Sequence, residues 1–203
     1  MYKLSELPYD YDSLEPFIDT HTLGLHKNKH QKNYLNKLNE LLVKNNYDFK
    51  YPIIELPFYI NKLNINNNED IMFNLGGVIN HDIYFYSMSK NKTSPNSRLM
   101  EEIINRFDSF ENFIKEFKEK ALSIKGSGYT FLVINNGSLD IINLLNQDNP
   151  YNYGYTPLLG LDMWEHAFYI NYENKKDIYI DNFFEVIDFK NANDIFNNFN
   201  YKT

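Results

Sequence analysis

Residues 129–145 read YTFLVINNGSLDIINLL, two β-prone runs separated by the polar stretch Asn135-Asn136-Gly137-Ser138. An Asn-Gly pair between two such runs is a strong hairpin signal, because the tight turn that joins twisted antiparallel strands needs positive φ at its centre. We therefore predict an antiparallel hairpin with strands at 129–134 and 139–145. A third β-prone run at 157–164 is predicted to form a strand that carries Asp162 at its end.

The chain on either side of these strands has helical periodicity. The first helix has Ser13 as its candidate N-cap, and the second contains the pair Gly76-Gly77. Each glycine costs about 1 kcal/mol against alanine in a helix interior, so we expect another group to approach closely there. Helices are predicted at 13–44, 69–88, 98–107, 110–125 and 177–198.

The order of these elements indicates an α+β fold rather than alternating strands and helices. We predict an N-terminal antiparallel helical hairpin domain at 1–89 and a C-terminal α/β domain at 90–203. In the second domain a three-stranded antiparallel sheet is surrounded by helices. The boundary is placed at the polar Asn, Ser and Pro segment of residues 90–97.

Composition excludes several classes of function. Hydrophobic residues make up 43% of the 203 residues, which favours a globular chain, and the absence of cysteine excludes disulfides, thiolate metal sites and thiol catalysis. The net charge of −7 argues against nucleic acid as a partner. No apolar run approaches the roughly 18 residues of a membrane span, and the N-terminus lacks a signal-peptide pattern, so we expect a cytoplasmic protein.

The stretch Asp162-Met163-Trp164-Glu165-His166 places a carboxylate and an imidazole four residues apart in a mostly apolar context. Two more histidines, His26 and His81, lie in predicted helices. A lone histidine is more often a core or surface residue than a ligand, so only the joint pattern indicates a metal site. Three imidazoles with one carboxylate suit first-row ions such as Mn and Fe.

Beyond these residues, the chain resembles the iron/manganese superoxide dismutases over essentially its full length. The signatures occur in the order that the family has them. They are Leu7-Pro8-Tyr9-Asp10-Tyr11, Leu14-Glu15-Pro16, residues 26–34, Asn80-His81, Gly126-Ser127-Gly128, Asn146-Gln147-Asp148 and residues 162–169.

The resemblance implies a role for each matching residue. The four metal ligands would be His26, His81, Asp162 and His166, with Tyr34 and His30 lining the substrate funnel. Glu165 would reach across a dimer interface to the partner's ligand histidine, and Tyr169 would contact the partner's His30. The chain would then be a homodimer or a tetramer that converts superoxide to dioxygen and hydrogen peroxide by alternate reduction and oxidation of the bound ion.

Two positions bear on the choice of metal. In iron-type members the glutamine that hydrogen-bonds the metal-bound solvent comes from the second helix, at the position of Gly77. In manganese-type members that position is glycine, and the glutamine comes from the hairpin, where this chain has Gln147. We therefore favour Mn, with Fe or dual use left open because affinity order alone does not select between them.

Some positions depart from the family pattern. Four tryptophans of the family are replaced by smaller aromatic residues, and two of its histidines are replaced by Gln31 and Val78. The aromatic exchanges keep an apolar wall but alter its volume. The aromatic replacements are Phe85, Tyr129, Phe131 and Phe189.

Two rival interpretations are a metal-binding protein without turnover and a hydrolase that uses bound water.

Overall fold

The computed structural model describes residues 1–63, 66 and 68–199. Helices form the N-terminal part, and a sheet with further helices follows, so the predicted α+β class and layout are confirmed. The elements are α1 (Thr20–Leu25), a π-helical segment (His26–Gln31), α2 (Lys32–Lys44), α3 (Leu56–Tyr59), a 3-10 turn (Ile60–Lys62), α4 (Asn68–Tyr86), α5 (Ser97–Phe107), α6 (Phe110–Leu122), β1 (Gly128–Asn135), β2 (Ser138–Leu145), a 3-10 turn (Pro150–Tyr153), β3 (Thr156–Asp162), α7 (Glu165–Tyr172), α8 (Lys176–Glu185) and α9 (Lys190–Asn198).

The first helix begins later than predicted. Asp19, not Ser13, is the N-cap: its extended backbone precedes α1, and its carboxylate accepts from the Thr22 backbone N–H at 2.6 Å. Residues 11–17 form turns instead. Pro16 explains the difference, because a proline disfavours the α region for the residue before it, here Glu15.

A π-helical segment, His26–Gln31, separates α1 from α2, although the sequence predicted an uninterrupted helix. Such segments widen the helix locally and occur often at functional sites. This one contains His26 and His30. Beyond it, α2 packs on α4 through apolar side chains of both helices, among them Leu38, Leu42 and Leu75.

The sheet has the strand order β2-β1-β3, with both pairings antiparallel. The predicted hairpin is confirmed, and Asn136 and Gly137 at its tip both have positive φ, 48° and 86°. The third strand ends at Asp162, which pairs with Tyr129 of the central strand. The hairpin turn and the end of β3 therefore follow the sequence prediction closely.

The C-terminal helix predicted at 177–198 is two helices, α8 and α9. Between them, residues 186–188 pair with the segment that follows α4: Ser89 N–H donates to Val186 O, and Asp188 N–H donates to Ser87 O, both at 2.8 Å. These bonds replace helical ones and fasten the C-terminal part to the end of α4. Helix α7 was not predicted, because its eight residues are too few for a clear periodicity.

The main core includes side chains from both predicted domains, such as Leu14, Tyr84, Phe117 and Phe183. The domain boundary after residue 89 stays a prediction. Within the described part of the chain, no helix is both long and apolar enough to cross a membrane. The four aromatic replacements are all buried, so the apolar wall is kept: Phe85, Tyr129, Phe131 and Phe189.

Candidate metal centre

Four side chains that are distant in the sequence converge between the N-terminal helices and the sheet. They come from the π-helical segment, α4, the end of β3 and α7, and their donor atoms all lie within 4.8 Å of one another. The Asp162 Oδ2 atom is 3.1 Å from His26 Nε2, 3.4 Å from His166 Nε2 and 3.8 Å from His81 Nε2. The structure thus brings together all four predicted ligands.

The donor set fits a metal ion. His81 Nε2 and His166 Nε2 are buried, and neither has a hydrogen-bond partner among the residues that the structure describes. Buried polar atoms are seldom left unpaired without a reason. The His81 Nδ1–H donates to the Gly77 carbonyl, which fixes the tautomer and leaves Nε2 to accept an ion. Three imidazoles and one carboxylate suit Mn or Fe.

The protonation states also suit metal binding. Burial lowers the pKa of His26 to about 4, although the hydrogen bond with Asp162 opposes this, and burial lowers the pKa of His81 well below its usual value. Burial opposes ionisation of Asp162, but the proximity of His166 and the hydrogen bond with His26 lower its pKa. Near neutral pH the centre therefore holds a carboxylate beside neutral His26 and His81 imidazoles, the forms that bind metal.

Asp162 is held in place from both ends. The Trp164 backbone N–H donates to Asp162 Oδ1 at 2.8 Å, which leaves Oδ2 directed at the histidines. The Asp162 carbonyl accepts from the Tyr179 hydroxyl at 2.8 Å, and Tyr179 also contacts the Tyr84 hydroxyl at 3.1 Å. Tyr179 and Tyr84 are fully buried. These hydrogen bonds from Trp164 and Tyr179 hold Asp162 in place.

Tyr34 and Gln147 form a hydrogen-bonded pair next to the cluster. Gln147 Nε2 donates to the Tyr34 hydroxyl at 3.1 Å, and the Tyr34 ring centroid lies 5.5 Å from that of His81. Asn80 steadies the amide: its Nδ2 is 3.4 Å from Gln147 Oε1. Gln147 is buried, with 1% of its surface exposed.

The Gly76-Gly77 pair permits this arrangement. A Cβ on Gly76 would lie 1.9 Å from the Gln147 carbonyl oxygen, and one on Gly77 would lie 2.5 Å from the Tyr34 ring. The predicted close approach is therefore confirmed. Gln147 approaches Gly76, and Tyr34 approaches Gly77. Both glycines are needed for space rather than for conformational freedom.

His30 lies against the cluster but contributes no atom to it. Its ring stacks on that of His166, with centroids 4.1 Å apart and planes 13° apart. Burial lowers its pKa. The i, i+4 spacing from His26 brings the two rings to the same side, with centroids at 6.3 Å.

Glu165 and Tyr169 contribute no atom to the cluster. Both are exposed residues of α7, and Tyr169 has 52% of its surface exposed. Neither side chain has a hydrogen-bond partner within residues 1–63, 66 and 68–199. A single chain thus does not bring these two predicted residues to the metal centre.

Several residues near the cluster were not singled out as site residues from the sequence. Tyr129 is fully buried, and its hydroxyl lies 3.4 Å from His81 Nδ1. Lys27, Gln31 and Asp82 form a polar group behind the histidines. The available signal was that Lys27 directly follows His26 and Asp82 directly follows His81, with opposite charges.

Comparison with known families agrees with this geometry. Residues 1–89 match the family model described as the alpha-hairpin domain of iron/manganese superoxide dismutases, and residues 95–195 match the model for their C-terminal domain. The chain belongs to the iron/manganese superoxide dismutases. This superoxide dismutase is an oxidoreductase that acts on superoxide, and its His/Asp cluster could hold the metal that the family uses.

Proposed function

We propose that this superoxide dismutase uses Mn, held by His26, His81, Asp162 and His166. The observation that carries the choice of metal is the contact between Gly77 and the Tyr34 ring. A glutamine side chain on α4 at position 77 would have to occupy the place of that ring. The amide comes instead from Gln147 after β2, as the resemblance to manganese-type members implies.

An ion bound by these four residues would supply one-electron chemistry, by which one superoxide is oxidised to O₂ and a second, with two protons, is reduced to H₂O₂. The second step consumes two protons, so the residues around the ion must deliver them. Tyr34 is placed for this role. Its hydroxyl oxygen accepts the Gln147 N–H at 3.1 Å, which leaves its own O–H free to donate. Burial raises the pKa of Tyr34, so the phenol stays protonated at neutral pH.

His30 is the second candidate for proton delivery. It is half-buried and stacks on His166, so it lies between solvent and the cluster. Its lowered pKa favours the neutral imidazole at pH 7, which can accept a proton from water and pass one inward. A protein that only stores metal has no need of such neighbours, which favours catalysis over a storage role.

The decisive experiment compares the two metals directly. Protein expressed with Mn or with Fe would be assayed for bound metal and for superoxide dismutation per bound ion. We expect the Mn form to be the more active. An Fe form with equal or higher turnover would overturn the Mn proposal while leaving the enzyme class intact.

The exposed face of α7 supports a homodimer or a dimer of dimers. Tyr169 and Ile170 are neighbours on this helix, and each has 52% of its surface exposed. Glu165 lies at the start of the same helix, without a partner in the described chain. Sedimentation equilibrium is expected to give at least twice the chain mass of 24.2 kDa. The cytoplasmic location stays a prediction.

A further inference from the structure

A charged residue directly follows each of the two proposed N-terminal ligands, and these two residues have charges of opposite sign. Lys27 follows His26 in the π-helical segment, and Asp82 follows His81 in α4. Lys27 Nζ lies 3.8 Å from Asp82 Oδ1, with 5% of the lysine side chain and 26% of the aspartate side chain exposed. A charge pair this well shielded is uncommon in proteins.

Two further side chains complete the group. Gln31 Nε2 donates to Asp82 Oδ1 at 2.6 Å and to the Val78 carbonyl at 3.0 Å. Ser5 Oγ donates to Asp82 Oδ1 at 2.6 Å and accepts from Lys27 Nζ at 3.3 Å. We call Lys27, Gln31, Asp82 and Ser5 the ion-pair clamp. It joins the π-helical segment, α4 and the N-terminal segment.

The clamp contacts both segments that carry the N-terminal ligands, and none of its residues belongs to the cluster. Lys27 and Gln31 are one turn apart in the segment that carries His26 and His30, and Val78 to Asp82 is the turn of α4 that carries His81. The Lys27 ammonium also lies 5.2 Å from the centre of the Phe85 ring, which packs against His26 with centroids 5.1 Å apart. A shift of either segment would break several of these bonds together.

Stability alone does not account for a pair of this kind. Removing two charges from water costs free energy that their attraction often fails to recover, and an apolar pair of similar volume can be more stable. Buried ionic groups are best understood where they fix one register between neighbouring elements. The register here is the one that brings the His26 and His81 rings to a centroid distance of 4.7 Å.

We infer that the ion-pair clamp positions His26 and His81 for metal binding by fixing the π-helical segment against α4. Lys27, Asp82 and Gln31 are positioning residues, because none of them contributes an atom to the cluster. The inference rests on the proposed ligand set. Gln31, one member of the clamp, is among the departures from the family pattern.

The test uses Lys27→Met, which keeps the aliphatic stem over Phe85, Asp82→Asn, which keeps the shape of the carboxylate, and the double variant. Release of Mn²⁺ from the loaded protein to excess chelator is timed, and the electron paramagnetic resonance spectrum of bound Mn²⁺ is recorded. Each single variant is expected to release the ion about tenfold faster, as is typical when groups that support metal ligands are removed, and to change the spectrum.

The double variant separates positioning from stability. It leaves no unpaired buried charge, so its urea midpoint should recover toward that of the parent protein. Its Mn²⁺ release should stay fast, because the register is no longer fixed. The matched control is Lys37→Met with Glu40→Gln, which removes an exposed ion pair of 3.1 Å on α2 and should change neither readout.

Unchanged release and spectrum in both single variants would overturn the inference, and so would parent-like release in the double variant. His81→Ala distinguishes this failure from failure of the ligand set. If His81→Ala loses the ion while the clamp variants behave like the parent, the ligands are right and the clamp is only structural. If His81→Ala keeps the ion, the ligand set itself is wrong.

Discussion

The two halves of the metal centre are supported in different ways. His26 and His81 have 1% and 0% of their surface exposed, and the ion-pair clamp lies behind them within the same chain. Asp162 is equally buried, but His166 lies on α7 and keeps 12% of its side chain exposed. The N-terminal half is therefore closed by its own chain, whereas the C-terminal half opens toward the exposed face of α7.

This difference separates binding from access. A buried half sets the positions of the donor atoms, because closely packed side chains sit in well-defined rotamers. The open half leaves part of the His166 side chain accessible, and a second chain can add contacts there.

The largest effect is expected from His81→Ala. The variant removes a buried donor atom that has no other partner among the described residues, so metal content and dismutase activity should both fall to background. His21→Ala is the control, because His21 is exposed on α1 and should leave both unchanged. Metal analysis and a superoxide assay on the two variants check this. Full metal content in His81→Ala would show that His81 is not a metal ligand.

Acid should destabilise the metal-free protein. The pKa of His26 is about 4 in the folded state against 6.5 for the ordinary side chain, so the unfolded chain binds the proton first as pH falls. The free energy of unfolding should be level above pH 6.5 and fall by about 3 kcal/mol between pH 6.5 and 4. The lowered pKa of His81 adds a loss of the same sign.

Urea unfolding of chelator-treated protein at several pH values measures this loss. The exposed His21 provides the control. The His21→Gln variant should lose as much stability between pH 6.5 and 4 as the parent protein does. A free energy of unfolding that stays constant from pH 6.5 to 4 would contradict the burial of a neutral His26.

A smaller effect is expected at Gly77. Gly77→Ala would place a Cβ 2.5 Å from the Tyr34 ring, and overpacking of this kind costs about 2 kcal/mol. Gly24→Ala is the matched control, since Gly24 is also helical but a Cβ there would meet no atom within 4 Å. It should be neutral or stabilise the protein by up to about 1 kcal/mol. Urea unfolding distinguishes the two variants, and equal effects on the free energy of unfolding would show that the Tyr34 ring can move aside.

The smallest effect on the chain itself is expected at the open half. Glu165→Gln should change the free energy of unfolding of the single chain by no more than about 0.5 kcal/mol, because the side chain is exposed. It should nevertheless weaken self-association in sedimentation equilibrium. Glu173→Gln, a second exposed residue that follows α7, is the control. Unchanged association in Glu165→Gln would remove this residue from the proposed interface.

Local signals were sufficient for much of the fold. The Asn136-Gly137 turn and the strand that ends at Asp162 were both predicted correctly, because each depends on a few adjacent residues. The start of α1 was wrong, since Pro16 outweighed the capping ability of Ser13. The break between α8 and α9 was missed because it depends on hydrogen bonds to residues 87–89, about a hundred positions earlier.

The candidate metal centre was likewise predictable from the sequence only in part. The sequence by itself determined which donors are present, that they are imidazole and carboxylate, and that His26 and His30 share a helix face. Only the tertiary structure decided that Asp162 Oδ2 meets three imidazoles, that Gly77 gives its space to Tyr34, and that Lys27 pairs with Asp82. Donor chemistry is a property of single residues, whereas these contacts depend on how distant segments pack against one another, which no local pattern encodes.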